Sequence, residues 1–400
     1  MKVLQINSVC GYGSTGRIAV DLYRTIIKQG YSGKIAYGRG TAPEEVDSLK
    51  IGNSMQVYLN VVKNRILDNE GFSSKFATQE LIKQIEQYNP DIIHLHNIHG
   101  YYLNIEILFE YLTKSNIPVV WTLHDCWTLT GHCAYFDYVE CGRWKTNCCS
   151  CPQKGEYPKS VALDKSEKNH IKKKEIFSKH KNITFVTPSE WLADVLKKSY
   201  MKEFPVEVIN NGIDLEVFSP TESNLREEYN LKDKFVILGV ASIWDRRKGL
   251  EYFAKLSEGL DKSFKIILIG VSEKQKRQLP NGVIGIERTN NIRELAKFYS
   301  MADVFVNPTL EDNFPTTNIE ALACGTPVVT YNTGGSPEIA DKTCGMVIEK
   351  KDYNKLIETI RSLRENNFSM EDCRARSQLY NRDIKYLEYI KLYEKIKKGI

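Results

Sequence analysis

The stretch "NPTLEDNFPTTNIEALACGTPVV" (Asn307–Val329) carries three signals at once. It leaves an apolar run, "DVFV", through an acidic turn at Glu311-Asp312. It then enters a helical pattern bearing Glu320 and ends in a second apolar run, "PVVTY". Strand, polar turn, helix and strand in that order make one unit of a parallel sheet, whose ligands bind at the carboxyl ends of the strands. Asn313, Phe314, Pro315, Thr316 and Thr317 stand where the helix begins, so the turn can offer backbone N–H groups to a phosphate. Glu320, eight residues past Asp312, suits a ribose diol, because a carboxylate accepts from two hydroxyls at once.

Working outward, the same alternation fills the chain. The first half offers strands at "KVLQIN", "KIAY", "DIIHL", "PVVWTL" and "ITFVT"; the second offers "FVILGVA", "KIILIG", "VIGI", "DVFV" and "PVVTY". Helical patterns separate most of them, which predicts two doubly wound parallel α/β sheets. At 400 residues the chain is long for one core. The seam is expected in "FPVEVINNGIDLEVFSP", where Asn211-Gly212 signals a turn. The expected organisation is a first domain over 1–204 with a cysteine-rich insertion at 126–152, a second over 205–380, and a helix at 381–400 that packs back on the first.

Composition is that of a soluble protein, 42% hydrophobic and 26% charged, and the start shows no cleavable signal pattern, so the expected location is the cytoplasm. A net charge of +5 falls short of a nucleic-acid binder's signature, and no nucleic-acid partner is expected. Lysines concentrate in "DKSEKNHIKKKEIFSKHK" (Asp164–Lys181). That segment reads either as a solvated helix face or as a peripheral contact with the inner face of a membrane.

Two further loops bear on phosphate. "GYGSTG" (Gly11–Gly16) follows the first strand and opens a helix, as a phosphate-facing glycine loop does. A dinucleotide site asks for an acid about twenty residues on. Here the second strand ends at Arg39 instead, which weakens NAD and leaves an NADP-linked oxidoreductase as an alternative. "SIWDRRKGLEYF" places Arg246, Arg247 and Lys248 after a strand, a cation set suited to a diphosphate.

Glycine loop, "NNGID" linker, "RRKG" loop, acid-x7-acid with "EALACGTPVV", and "NTGGSPEI" together resemble a retaining glycosyltransferase of family 4, over essentially the whole chain. The resemblance implies the GT-B fold, with two Rossmann-like domains facing across a cleft, and a nucleotide-sugar donor held mainly by the second. It implies that Lys248, with Arg247 or Arg246 as the second cation, binds the diphosphate, that Glu320 binds the ribose, and that Asp312 contacts the donor sugar. By the same resemblance Gly13, Ser14, Thr15 and Gly16 close on the diphosphate, and His124 faces the reacting sugar. Two positions depart from the family: the first acid is Asp312 where a glutamate is usual, and Ile243 replaces an arginine five residues before the lysine. No Asp-x-Asp stands in a metal position, so no catalytic metal is expected and cations stabilise the leaving group. The acceptor implied is a glycan or lipid-linked glycan of surface polysaccharide synthesis. Another GT-B enzyme, a sugar epimerase or phosphorylase, shares the fold.

"HLHNIHGYY" (His94–Tyr102) ends another strand of the first domain. His96, His99 and Tyr101 are read as acceptor-side residues, in preference to a three-histidine metal site. In "HDCWTLTGHCAYFDYVECGRWKTNCCSC" (His124–Cys151), Cys133, Cys141, Cys148 and Cys151 have the spacing of a closed thiolate site. A structural zinc is the expectation there, with free thiols or two disulfides as alternatives.

Overall fold

A computed structural model of the chain describes residues 1–366 and 368–399. The backbone divides into two compact units: Met1–Asn210 together with the chain from Lys385 onward, and Asn211–Ile384.

In the first unit seven parallel strands form one sheet: β1 (Lys2–Val9), β2 (Ser32–Arg39), β3 (Ser48–Lys50), β4 (Ile92–Leu95), β5 (Val119–Thr122), β6 (Ile183–Thr187) and β7 (Val206–Val208). Their order is β3-β2-β1-β4-β5-β6-β7. Apart from Lys2, the central strands β1, β4 and β5 are buried along their length, which is why they read as largely apolar runs broken by a few buried polar residues. In the second unit β8 (Phe235–Val240), β9 (Phe264–Ile269), β10 (Val283–Ile286), β11 (Val304–Asn307), β12 (Val328–Tyr331) and β13 (Gly345–Ile348) give the order β10-β9-β8-β11-β12-β13. Each order reverses once, between β1 and β4 and between β8 and β11. At such a switch point neighbouring loops diverge and leave a crevice at the carboxyl edge.

Three strands went unread in the sequence: β3, β7 and β13. All three are sheet edges, where short or half-exposed strands lose the apolar signal. β7 explains the difference at the seam. Its pairing with β6 carries the first unit to Asn210, where the sequence placed the boundary at 204.

Two helices of the first unit matter below, α1 (Gly13–Lys28) and α2 (Ser54–Leu67). The last helix, Arg382–Lys398, lays Tyr386, Tyr389, Ile390, Leu392 and Tyr393 against Val3, Ile18, Leu22, Ile92 and Val120. Burying side chains of this size contributes about 1.5–3 kcal/mol each, so this helix is part of the first unit's core.

Candidate active site

At the switch point of the second sheet, two loops leave the adjacent strands β8 and β11. The first forms a single 3-10 turn, Arg246–Lys248, capped by Asp245. Gly249 follows at φ 75°, and a Cβ there would collide with the Pro308 carbonyl. Glycine therefore lets the two loops close on each other. The Leu310 N–H donates to the Arg247 carbonyl at 2.7 Å, and Arg247 Nη1 donates to the Glu311 carbonyl at 3.2 Å. Lys248 Nζ meets Asp312 Oδ2 at 2.5 Å. The residues read separately as diphosphate cation and sugar carboxylate thus pair with each other. Of the two arginines, Arg247 is tied to the acidic turn, while Ile243 is 71% exposed.

A third loop, after β12, completes the crevice. A Cβ on Gly334 would strike the Asp312 carbonyl, and the Gly335 N–H donates to the Asn313 carbonyl at 3.1 Å. Between these loops Asn313 is only 3% exposed. Its Nδ2 and Oδ1 both lack a partner among the described residues, as do Thr333 Oγ1 and Ser336 Oγ. Buried polar atoms are nearly always paired. Several unpaired ones on two adjoining loops mark a place that a polar ligand completes.

The helix Thr316–Ala323 opens here. Its N-cap, Pro315, makes no side-chain cap, so the first-turn N–H groups around half-buried Thr316 and Thr317 have no side chain at the cap to receive them. Phe314 serves the scaffold: its ring packs edge-on to Tyr380 and its carbonyl accepts from Asn211 Nδ2 at 3.3 Å. Glu320 is buried, and its Oε2 accepts the Tyr299 hydroxyl at 2.9 Å. The carboxylate read as open to a ribose is therefore anchored from inside the fold.

At the switch point of the first sheet, Asn7 on β1 organises the glycine loop. Its Nδ2 donates to the Val9 and Thr15 carbonyls, and its Oδ1 accepts from the N–H groups of Ser8 and Asn97. Gly13 and Ser14 are exposed, Thr15 is half-buried and Gly16 is buried. The helix α1 starts at Gly13 with no side-chain cap, leaving its N-terminus open to an anion.

Beside that loop lies a chain of side chains whose protons can be assigned. Gln5 Nε2 donates to the Ala19 carbonyl at 3.0 Å. A carbonyl only accepts, so the amide orientation is fixed and Gln5 Oε1 faces His96 Nε2 at 2.9 Å as an acceptor. His96 therefore carries its proton on Nε2. Burial, with His94 and His124 adjacent, holds its pKa well below the ordinary histidine value, so the ring is neutral and its Nδ1 accepts. The group facing that Nδ1, at 3.0 Å, is His124 Nε2, which must donate. His124, lowered by burial to about 4, is neutral as well, and its proton is committed to His96. It presents an unprotonated Nδ1.

Sequence reasoning missed Gln5. The signal was there: a polar side chain on a strand with apolar neighbours, opposite His94 in register.

The acceptor-side residues are more enclosed than their sequence reading required. His96 is 1% exposed and lies within the chain just described. His99 bonds Asp125 Oδ2 through Nε2 at 2.7 Å and the Tyr157 hydroxyl through Nδ1 at 2.9 Å. Tyr101, at φ 70°, is held through its N–H by Glu70 Oε1. His94 is interior too, between the Tyr393 hydroxyl and Thr122 Oγ1, so the histidines of this loop form no metal set.

The lysine-rich segment is a helix, Ser166–Lys179, that also departs from its reading as one solvated face. Lys173 is buried, donating to the Trp127 and Thr130 carbonyls. Lys172 pairs with Glu106.

Cys133, Cys141, Cys148 and Cys151 line one small cavity as free thiols. A hydrogen bond from Cys133 lowers the Cys151 thiol to about 7, while burial raises Cys148 to about 11. Among the described residues no three His, Cys, Asp or Glu side chains are gathered in metal-holding geometry. The donors suit zinc, but their arrangement here is not a ready ligand set.

Comparison with known proteins completes the description. Residues 15–217 match the sequence model of a family described as Glycosyltransferase Family 4, and residues 234–366 match that of Glycosyl transferases group 1. WcaC of Escherichia coli K12, named as a colanic acid biosynthesis glycosyl transferase, is 26% identical over 378 residues, 90% of each chain. N,N'-diacetylbacillosaminyl-diphospho-undecaprenol alpha-1,3-N-acetylgalactosaminyltransferase of Campylobacter jejuni is 25% identical over 234 residues, 54% of this chain and 61% of its own. The crystal structure of Anabaena Alr3699/HepE with UDP-glucose superposes with a TM-score of 0.69 at 12% identity, covering 99% of this chain and 100% of the other. That likeness is one of fold, two parallel Rossmann-like units of the GT-B kind.

Proposed function

Since the chain belongs to glycosyltransferase family 4, we propose that it moves a sugar from a nucleotide-sugar donor to a glycan or lipid-linked glycan acceptor in surface polysaccharide synthesis. Transfer would retain the anomeric configuration. The observation that carries the donor assignment is the crevice of the second sheet, where Lys248, Arg247 and a capless helix start meet the unpaired Asn313 side chain. A diphosphate supplies the acceptor oxygens such a place lacks. Relatives support the substrate classes: HepE is solved with UDP-glucose, and the Campylobacter enzyme's name specifies a lipid-diphosphate acceptor.

In the reaction the bond between the anomeric carbon and the leaving diphosphate breaks, and negative charge gathers on the phosphate. Lys248 and Arg247 stabilise that charge in place of a metal ion. Asp312 holds Lys248 in position and takes sugar hydroxyls as its second task, while Glu320, fixed by Tyr299, orients the ribose. The leaving phosphate takes the acceptor proton as the new bond forms on the same face. The chain's work is thereby to position and to stabilise. His124 receives a donor hydroxyl, and the open start of α1 with Gly13 to Gly16 favours the diphosphate. His99 and Tyr101 shape the acceptor side from beneath through Tyr157 and Glu70.

Turnover of UDP-, GDP- and ADP-sugars, with Lys248→Ala and Glu320→Ala as controls, tests this reading. Binding of no donor, or wild-type turnover in both variants, would reject it. The anomeric coupling of the product in proton NMR decides retention. Family membership also displaces the oxidoreductase alternative, which rested on the glycine loop and Arg39.

The cysteine loop is proposed to hold a structural zinc on Cys133, Cys141, Cys148 and Cys151, supported by their sharing one cavity. Binding would have to draw the thiolates together. Metal content of anaerobically purified protein is expected at one zinc per chain, and a substoichiometric value with all thiols titratable rejects it.

A further inference from the structure

The helix α2 packs Val57 on the core yet also exposes an apolar side. Its inward side carries Asn60 and Asn64: Asn60 Nδ2 donates to Ser74 Oγ and the Tyr101 carbonyl, and Asn64 takes the Asn69 N–H and reaches the Lys159 carbonyl. Its outward side carries Met55, Tyr58, Leu59, Val62 and Ile66, between 40% and 73% exposed. The spacing i, i+3, i+4, i+7, i+11 sets these five in one stripe along the helix. The stripe continues sideways, because the Val161 and Leu163 N–H groups bond the carbonyls of Arg65 and Ile66 and both side chains are exposed. A soluble chain seldom leaves so continuous an apolar strip uncovered without a partner for it.

Charge selects the partner. Within Ser54–Leu67 the only ionic side chains are Lys63 and Arg65, both exposed, and no acid lies on the helix. Self-association through this face would set the same two cations of each copy together with no acid on the helix to answer them. An anionic bilayer answers both features, taking the apolar side chains at the acyl boundary and the cations among its head groups.

We propose that the outward face of α2, extended by Val161 and Leu163, docks the protein on an anionic phospholipid surface. This moves the membrane contact away from the lysine-rich helix Ser166–Lys179. The placement rests on the lipid-linked acceptor reading only for its purpose, since the stripe and its cations stand by themselves.

The test is sedimentation of the full chain with vesicles of phosphatidylcholine alone or with phosphatidylglycerol, without donor or acceptor, so that its failure leaves the transfer reaction untouched. Wild type is expected to sediment with the anionic vesicles and to be released by salt. Lys63→Gln with Arg65→Gln should weaken partition by about fivefold per cation. Leu59→Glu with Val62→Glu should abolish it, with an unchanged melting temperature because both positions are exposed. Wild type left in the supernatant, or variants that sediment like wild type, overturns the proposal. So does a dimer in light scattering that Leu59→Glu dissociates, since the face would then belong to a second copy.

Discussion

His96 Nδ1 accepts a hydrogen bond from His124 Nε2 across 3.0 Å, and the direction of that bond is set by Gln5, a fully buried residue bonded to the Ala19 carbonyl and to His96. A histidine donating inward at Nε2 can only accept at Nδ1. In the proposed role, His124 would therefore select a donor group with a hydrogen to give, a hydroxyl and not a carboxylate. Replacing Gln5 by Met should release the lock, at about 1–3 kcal/mol of stability for the groups left unpaired. Two-bond nitrogen–proton NMR on histidine-labelled protein is expected to show His124 as the Nε2–H tautomer in wild type and as a mixture in Gln5→Met. An Nδ1–H tautomer in wild type would overturn the assignment.

The buried rings also predict a pH dependence of stability. Burial lowers His94 and His96 well below the ordinary 6.5 and His124 to about 4. Between these values the unfolded chain binds protons that the folded chain does not, so stability rises with pH there. It is fully present above pH 6.5 and drains away as pH falls toward 4. Urea midpoints measured from pH 7.5 to 4.5 should decline through that window; level midpoints would remove the neutral histidines from the account.

If Lys248 takes the donor's diphosphate as proposed, Asp312 competes with that diphosphate for the same ammonium. Lys248→Ala should lower turnover by about 100- to 1000-fold, roughly 2.7–4 kcal/mol, as loss of a charge-stabilising donor does. Asp312→Asn frees the lysine, so it should bind UDP, GDP or ADP at least as tightly as wild type while sugar transfer falls. Calorimetry with the nucleoside diphosphates beside donor turnover separates the two effects. Weaker diphosphate binding in Asp312→Asn would refute the competition.

Asn313 predicts a trade between stability and binding. Its amide is buried without partners, so Asn313→Ala removes a desolvated group and should leave the free protein as stable as wild type or slightly more so. The same variant should lose much of the melting-temperature gain that a nucleoside diphosphate gives wild type. A free variant destabilised by several degrees would mean that the amide is satisfied in solution.

Both sheets were legible because buried parallel strands announce themselves as apolar runs, and the loops of the second unit because their glycines, cations and acids are close in sequence. The acidic turn and "RRKG" lie some sixty residues apart yet meet across adjacent strands, as strand order alone implies. Other features rest on partners that no local pattern names. Gln5 acts on His96, ninety-one residues on, and then on His124. The helix α2 shows the converse limit: helical spacing of apolar residues tells that a face exists, not which side of it faces water. His96, read as an acceptor-side residue, is buried among partners that lie twenty-eight and ninety-one residues away, which no local pattern could name.

The terminal helix has one more consequence, for the order in which the protein matures. His94 bonds the Tyr393 hydroxyl, a partner 299 residues later, and Tyr386 and Tyr389 close the same cluster. As the chain leaves the ribosome, Asn211–Ile384 emerges whole and can fold without waiting. The first unit, although begun first, has a gap on one side of its sheet until residues 386–393 are synthesised. A nascent chain halted before Tyr386 would hold a finished second unit and an unfinished first, and a deletion of residues 386–393 would damage a unit made mostly of residues far earlier in the sequence.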